Sequence, residues 1–395
     1  ANLQGVSQAG ARISAVCDID RGRLGGAASK YPEAATYTDF RKLLDEQKSL
    51  DAGVVSTPDH THAPAAVRAM RQGLHCYCEK PLTYRVHEAR VMTQVARENK
   101  LSTHMGTPSR GSEDTVRSVE IIRSGALGEV TEAHFWTNRP IWAQGFDRPA
   151  GQDPVPDSLD WDLWLGPAAM RPFKDEWPKG HAIENSQWKH RKVYHPFVWR
   201  GWWDFGTGAL GDIAPHMWSP AYWGLQLGAP ASVEVVEMSG PVTEMYPAAA
   251  TLKFNFPARS GRGPVAIYWY DGGNRPSAEL AGMDDVPNSG HLLVGTKGIL
   301  GTGNQSTAEF GSVPRTLRRY DDMYVEWLRG IKNGDPDQPS CPFSYAGPLT
   351  EAYLLGNIAM KVNQKIEWDA SAMKITNCDA ANEYVQREYR EGWEI

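Results

Sequence analysis

Asp212-Ile-Ala-Pro-His216 sets a carboxylate and an imidazole four residues apart. On a helix that spacing stacks both side chains on one face. An imidazole beside a carboxylate can take a proton from an alcohol near neutral pH, with the carboxylate steadying the cation that forms. Pro215 is tolerated if it lies near the helix start. Such a pair is also a common structural contact, and the spacing alone leaves both readings open. Glu79-Lys-Pro81 follows a short apolar run, so Lys80 either enters a ligand crevice at a strand end or lies solvated on the surface. Ser56-Thr-Pro-Asp-His-Thr-His62 places Ser56, Thr57 and Pro58 at a strand-to-helix junction, where short hydroxyls and backbone amides suit a pyrophosphate or ribose. His60 and His62 in the same segment are expected to bind the cofactor too; with Asp59 they also have the donor types of a metal site, but no second cluster has matching spacing, and no metal is expected.

Asp18 ends the apolar run Arg12–Cys17. An acidic residue at the end of the second strand of a dinucleotide fold accepts hydrogen bonds from ribose hydroxyls and repels a 2′-phosphate, which favours NAD. Arg21 and Arg23 close by keep NADP open, and a plain turn aspartate is the competing reading.

These groups need elements to position them. Short apolar runs at Arg12–Asp18, Asp51–Pro58, Leu74–Cys78 and Leu101–Met105 alternate with helical stretches at Arg21–Lys30, Ala63–Gln72 and Val86–Asn99, and Thr38 could cap one more. The alternation predicts a parallel sheet covered on both faces, with ligands at the carboxyl ends of its strands. The texture changes near Gly128. A strand at Thr131–Thr137 is followed by a Trp- and Pro-rich stretch to about Trp203. Strand-like runs at Ser232–Glu237, Ala249–Phe256, Pro264–Tyr270 and His291–Gly295 have no crossover helices between them, which predicts an antiparallel sheet. Helices return at Leu317–Lys332, Thr350–Gln364 and Ala380–Glu391, and they are expected to pack back on the first domain. The fold class is therefore an α/β Rossmann-like domain over residues 1–125, followed by an α+β domain with a large open antiparallel sheet over residues 126–395.

The chain has 395 residues, enough for two domains at roughly 100–200 residues each. Its net charge of −6, with scattered Lys and Arg, argues against a nucleic-acid surface. No apolar run is long enough for a membrane span. Five cysteines are too few for a disulfide scaffold, and Cys76 and Cys78 read as buried strand thiols.

Fifteen tryptophans are the least ordinary feature of the composition. Trp199, Trp202 and Trp203, with Arg200 and Asp204, immediately precede the Asp–His pair. Stacking faces beside charged hydrogen-bonding groups suit a polyhydroxylated ring. Arg139, Trp142 and Tyr270 are weaker candidates for the same role, and filling a domain or subunit interface is the competing one.

Taken in order, Val16-Cys-Asp-Ile-Asp20, Ser56–His62, Cys78-Glu-Lys-Pro-Leu82, His104-Met-Gly-Thr107, Ile122–Val130 and Gly208–His216 resemble the Gfo/Idh/MocA oxidoreductases, over nearly the whole chain. The resemblance implies a nicotinamide-dependent enzyme, using NAD or NADP, that moves a hydride to or from a hydroxyl carbon of a sugar, glycoside or cyclic polyol. It implies that Lys80 touches the nicotinamide ribose and the substrate hydroxyl, and that Asp212 and His216 orient the substrate and accept its proton. Glu79 and Met105 are expected beside the cofactor. It also implies a homodimer or homotetramer built through the sheet domain. Relatives are both cytoplasmic and exported, with the cytoplasm the default. Some relatives are NAD-dependent glycosidases, and a non-catalytic sugar-binding protein is a third reading. Two departures stand out. Neither the family's first strand nor its Gly-x-Gly-x-x-Gly turn precedes Asp18, so the chain is expected to begin within the fold; an open sheet without its first central strand would leave a buried edge unpaired. Thr107-Pro108 also stands where relatives often carry Asn.

Overall fold

The alternation of short apolar runs and helices in the first third builds parallel strands. A computed structural model describes residues 1–188, 191–259, 261–302 and 310–395. Helix α1 (Asn2–Gln8) leads to strand β1 (Ala15–Cys17). Asp20 starts α2 (Arg21–Lys30) by accepting the Gly22 and Arg23 amides, and β2 (Ala35–Tyr37) returns parallel to β1. Helix α3 (Phe40–Glu46) is capped by Asp39 rather than Thr38, because a carboxylate accepts the Arg41 amide and pairs with the Arg41 side chain as well. Next come β3 (Ala52–Val55), α4 (His62–Arg71), β4 (His75–Glu79), α5 (Val86–Glu98) and β5 (Thr103–Gly106). Strands β3, β4 and β5 form a parallel sheet in that order, whereas β1 and β2 form a separate pair.

Helix α6 (Glu113–Arg123) delivers the chain to β6 (Val130–Trp136). An irregular stretch containing α7 (Trp161–Leu165) follows, then α8 (Gly208–Met217) and α9 (Ser219–Gly224). Strands β7 (Ser232–Met238), β8 (Ala250–Phe256) and β9 (Val265–Tyr270) precede α10 (Ala278–Ala281) and the hairpin β10 (Gly290–Gly295) and β11 (Gly298–Gly301). The chain ends with α11 (Met323–Asn333), α12 (Phe343–Val362), β12 (Ile366–Asp369) and β13 (Lys374–Ile375). Eight of these strands form one sheet in the order β11-β10-β6-β9-β8-β7-β12-β13. The sheet is mixed, not purely antiparallel, since β6 and β9 run parallel. The excursion through α7, α8, α9, β7 and β8 is the long crossover that a parallel pair requires.

Period-two alternation divides the sheet's faces. Phe135, Leu252, Phe254, Ile267 and Trp269 point into a core completed by Leu210 and Ala214 of α8 and Leu355 and Ala359 of α12. His134 and Tyr268 point the other way and stack with ring centroids 4.7 Å apart.

Helix α12 joins the two halves. Phe343 and Ala346 at its start lie in the first domain's core, and Leu349 to Met360 lie in the second. Gly347 permits this contact, because a Cβ there would sit 1.8 Å from the Thr93 hydroxyl on α5. Arg90 and Glu351 clamp the same pair of helices with bonds of 2.8 and 2.6 Å. Three helices differ from expectation, and α12 starts at Phe343 rather than Thr350. Helix α11 starts only at Met323, capped by Asp322, because the Thr316 and Leu317 amides are claimed by the buried Glu120 carboxylate. After Asp379–Tyr384, a short 3-10 turn, the tail does not continue as a helix. Arg387 is drawn to Glu88 and Arg390 to Asp162, which spreads the tail over different elements.

Candidate functional site

The carboxyl ends of β3 and β4 carry the turns that hold Lys80. The Glu79 carboxylate accepts the Lys80 backbone amide at 3.1 Å. The Asn2 side-chain amide donates to Glu79 Oε1 at 2.7 Å and to the exposed Ser56 hydroxyl at 2.8 Å. Behind the turn, the buried His62 ring lies 2.8 Å from the Pro81 carbonyl and 2.9 Å from the Thr57 carbonyl. His62 thus braces two loops against each other and has no nitrogen left for a nucleotide.

From this turn Lys80 reaches across to α8. Its Nζ donates to Asp212 Oδ1 at 2.6 Å and to the Asp212 carbonyl at 2.9 Å. Arg200 Nε donates to the same Oδ1 at 3.2 Å, while its guanidinium lies 4.3 Å over the Trp199 ring and 4.4 Å over Phe197. A tight loop makes this reach feasible: a Cβ on Gly206 would lie 2.5 Å from the Arg200 Cα. Burial acts to raise the Asp212 pKa, but Lys80 and Arg200 outweigh it and hold the carboxyl below its ordinary value.

His216 lies one turn further along α8. Its Nδ1 is 3.0 Å from the Thr107 hydroxyl, which is itself 2.6 Å from the Ser109 hydroxyl. No hydrogen bond joins His216 to Asp212 among the described residues, contrary to the expected pairing. The spacing does put both on one face, but a lysine ammonium and a guanidinium compete better for a carboxylate than a neutral imidazole does. Burial, reinforced by the Lys80 charge, lowers the His216 pKa to about 4. Asp59 sits just below, fully enclosed, accepting the Thr207 hydroxyl at 2.8 Å, and burial pushes its carboxyl up to about 6. Thr107, Ser109 and the Asp59–Thr207 contact are the parts of this cluster that sequence reasoning did not assign to it. The Thr-Pro departure after Met105-Gly106 was the one available signal.

Other expected residues fall elsewhere. His60 is enclosed, with its ring nitrogens 3.2 Å from the Phe205 carbonyl and 3.1 Å from the Trp164 carbonyl, and burial lowers its pKa to about 3. The Met105 side chain fills the first domain's core. Trp202 is fully buried and donates to the Val193 carbonyl, and Trp142 donates to Gln144, so both brace the insertion rather than wall a cleft. Tyr270 alternates onto the sheet face opposite α8, where its hydroxyl lies 3.1 Å from His134. Asp204 pairs with Arg171, and Arg139 bonds its neighbour Asn138; neither touches the Lys80–Asp212 group. Asp18 stands at the carboxyl end of β1, half-buried, with one oxygen accepting the Asp20 amide at 2.9 Å. Thr57 and Pro58 are half-buried beside Ser56.

Two family models match this architecture. One, an oxidoreductase family with an NAD-binding Rossmann fold, covers residues 3–107. The other, that family's C-terminal alpha/beta domain, covers residues 130–243. The chain belongs to the Gfo/Idh/MocA oxidoreductase family. Among curated members, inositol 2-dehydrogenase of Salmonella typhimurium is 30% identical over 127 residues, which is 32% of this chain and 38% of that one. Alpha-N-acetylgalactosaminidase of Shewanella oneidensis is 30% identical over 131 residues, 31% of this chain and 28% of that one. These matches span well under half of either relative. Among solved Gfo/Idh/MocA-like folds, an inositol dehydrogenase homologue from Azotobacter vinelandii, complexed with NADH and myo-inositol, superposes with a TM-score of 0.57 at 15% identity, covering 93% of this chain and 94% of that one. The WlbA dehydrogenase from Bordetella pertussis, in complex with NADH and UDP-GlcNAcA, gives 0.57 at 17% identity, covering 93% and 94%.

Proposed function

We propose that this Gfo/Idh/MocA chain is an NAD-dependent dehydrogenase acting on a CH–OH group of a sugar, glycoside or cyclic polyol. The convergence of Lys80, Asp212, Arg200 and His216 beside the carboxyl ends of β3 and β4 carries the reading. The residues at the strand ends fit a dinucleotide. Asp18 gives only one oxygen to the backbone and keeps the other for ribose hydroxyls, and the Ser56 hydroxyl is exposed beside Glu79. A bound nicotinamide supplies the hydride acceptor.

The protein's own groups handle the proton and the charge. In this mechanism His216 carries its proton on Nδ1, donating to the Thr107 hydroxyl, and keeps a lone pair on Nε2. That nitrogen takes the hydroxyl proton. The Lys80 ammonium stabilises the negative charge growing on the oxygen, and it is aimed by the two oxygens of Asp212 that it bonds. Arg200 shares the Asp212 charge, so the carboxylate does not draw Lys80 away from the substrate.

The test is to denature the purified protein, identify released nucleotide by mass spectrometry, titrate NAD and NADP, and follow NADH formation on a polyol and sugar panel. NAD binding with reduction by at least one polyol is expected. Failure to bind any nicotinamide nucleotide would remove the reading in favour of a non-catalytic sugar-binding protein, and preference for NADP would remove the assigned role of Asp18. The galactosaminidase relative favours a second reading, a glycosidase that oxidises, eliminates and re-reduces. It would release sugar from a glycoside with no net NADH.

The half-exposed Tyr268 and Tyr270 rings on the sheet face away from α8 support the homodimer or homotetramer joined through the sheet that the family resemblance implies. Sedimentation should give a multiple of the 43.8 kDa chain mass, and Tyr268→Arg should shift it to the monomer. A wild-type monomer would refute the assembly.

A further inference from the structure

A small, partly open cavity lies outside the Lys80–Asp212 cleft. Arg85, from the segment after the Glu-Lys-Pro turn, Trp203 and Asp204 from the insertion, and Asn357 and Lys361 from α12 line it, and none of Lys80, Thr107, Asp212 and His216 does. Asp204, which the sequence placed with the substrate, therefore belongs to a different concavity.

Two cations face this space without a direct ion pair, although the Asp204 carboxylate lines it too and acts on Lys361 at longer range. Among the described residues neither Arg85 nor Lys361 has an ion pair or a side-chain hydrogen bond. Each rests instead on an aromatic ring: the Arg85 guanidinium lies 4.4 Å over Tyr84, and the Lys361 ammonium 4.8 Å over Trp203. Three lining side chains also carry a buried polar atom with no hydrogen-bond partner, namely Arg85 Nε, Trp203 Nε1 and Asn357 Oδ1. Native interiors leave few such atoms, and three around one cavity call for a ligand bearing both acceptors and donors. The cations ask for an anion. The Asp204 carboxylate, already paired with Arg171, disfavours a multiply charged anion such as phosphate and favours hydroxyl donors beside it. The Trp203 and Tyr84 rings suit the C–H face of a carbon chain.

We propose that this cavity binds a small polyhydroxylated carboxylate, a sugar acid, at a site separate from the catalytic cleft. The carboxylate lies between Arg85 and Lys361, and hydroxyls donate to Asn357 and Asp204. Asn357 also donates to the Thr207 carbonyl at 2.9 Å, at the residue where α8 begins, so the site touches the helix that carries Asp212 and His216.

Calorimetric titration of the full chain with gluconate tests this, with glucose as the uncharged control. Saturable gluconate binding is expected, weakened about tenfold or more by Arg85→Gln and by Lys361→Gln, unchanged by Lys80→Met, and far stronger than glucose binding. Lys361 is half-exposed at the end of α12, so Lys361→Gln keeps the test intact should Arg85→Gln fail to fold. No saturable binding, equal binding of glucose, or loss in Lys80→Met with both glutamine variants unaffected would each overturn the proposal; the last would put gluconate in the catalytic cleft.

Discussion

Lys80→Met is expected to lower kcat/KM for the polyol substrate by roughly a thousandfold, with the thermal melt shifted little. The side chain is 15% exposed and its partner Asp212 keeps a second cation, since Arg200 Nε remains 3.2 Å from Oδ1. Removal of the ammonium therefore does not strand a buried carboxylate, which is the usual route from such a change to unfolding. What is lost is the ammonium proposed to meet the charge on the reacting oxygen. Lys80→Arg should recover little of it. A rigid planar fork cannot reproduce a point charge that bonds both the side chain and the carbonyl of Asp212. Steady-state NADH formation, measured beside a melting curve, decides the matter. A methionine variant within about tenfold of the wild type would take Lys80 out of the reaction.

His216→Ala should reduce kcat by about a hundred- to ten-thousandfold, and it carries a second signature in the pH profile. The imidazole can accept a proton only when neutral. Burial and the neighbouring Lys80 disfavour the imidazolium and bring its pKa to about 4, below the ordinary value of 6.5. The acidic limb of kcat/KM should therefore rise with pH through about 4 and be level well before neutrality. In the alanine variant that limb disappears along with most of the rate. A wild-type limb centred at or above the ordinary histidine value would assign the proton to another group. Normal turnover in the variant would do the same.

Local patterns announced the parts of this molecule whose partners lie nearby in the chain. The strands leading to Ser56 and to Lys80 were legible because four or five apolar residues ending in Pro or a charged turn have few other solutions. The i, i+4 step from Asp212 to His216 correctly put them on one helix face. The choice of partner for Asp212 was not legible, because it depends on Lys80, 132 residues earlier, and on a loop that brings Arg200 back over α8. Thr107 meets His216 across 109 residues, and nothing local to either marks the contact. The tryptophans fail as local signals for the same reason: Trp199 and Trp202 both lie in the insertion's core, and nothing local shows that Trp199 also supports Arg200. Strand direction was hidden too. Period two tells which side chains share a face, but the β6–β9 pairing is parallel only because of the route taken between them.

The two halves of the chain are riveted at three separated points. Helix α12 is seated on α5 through Gly347, Lys80 is tied to Asp212, and Leu159 of the insertion bridges to Asp20, beside the end of β1. Ties at three separated points oppose a swing of one half against the other. If Lys80, Asp212 and His216 act as proposed, their geometry is set before a substrate arrives. Selectivity would then rest on the outline of the insertion, and retuning it would be a matter of carving rather than of loosening a hinge.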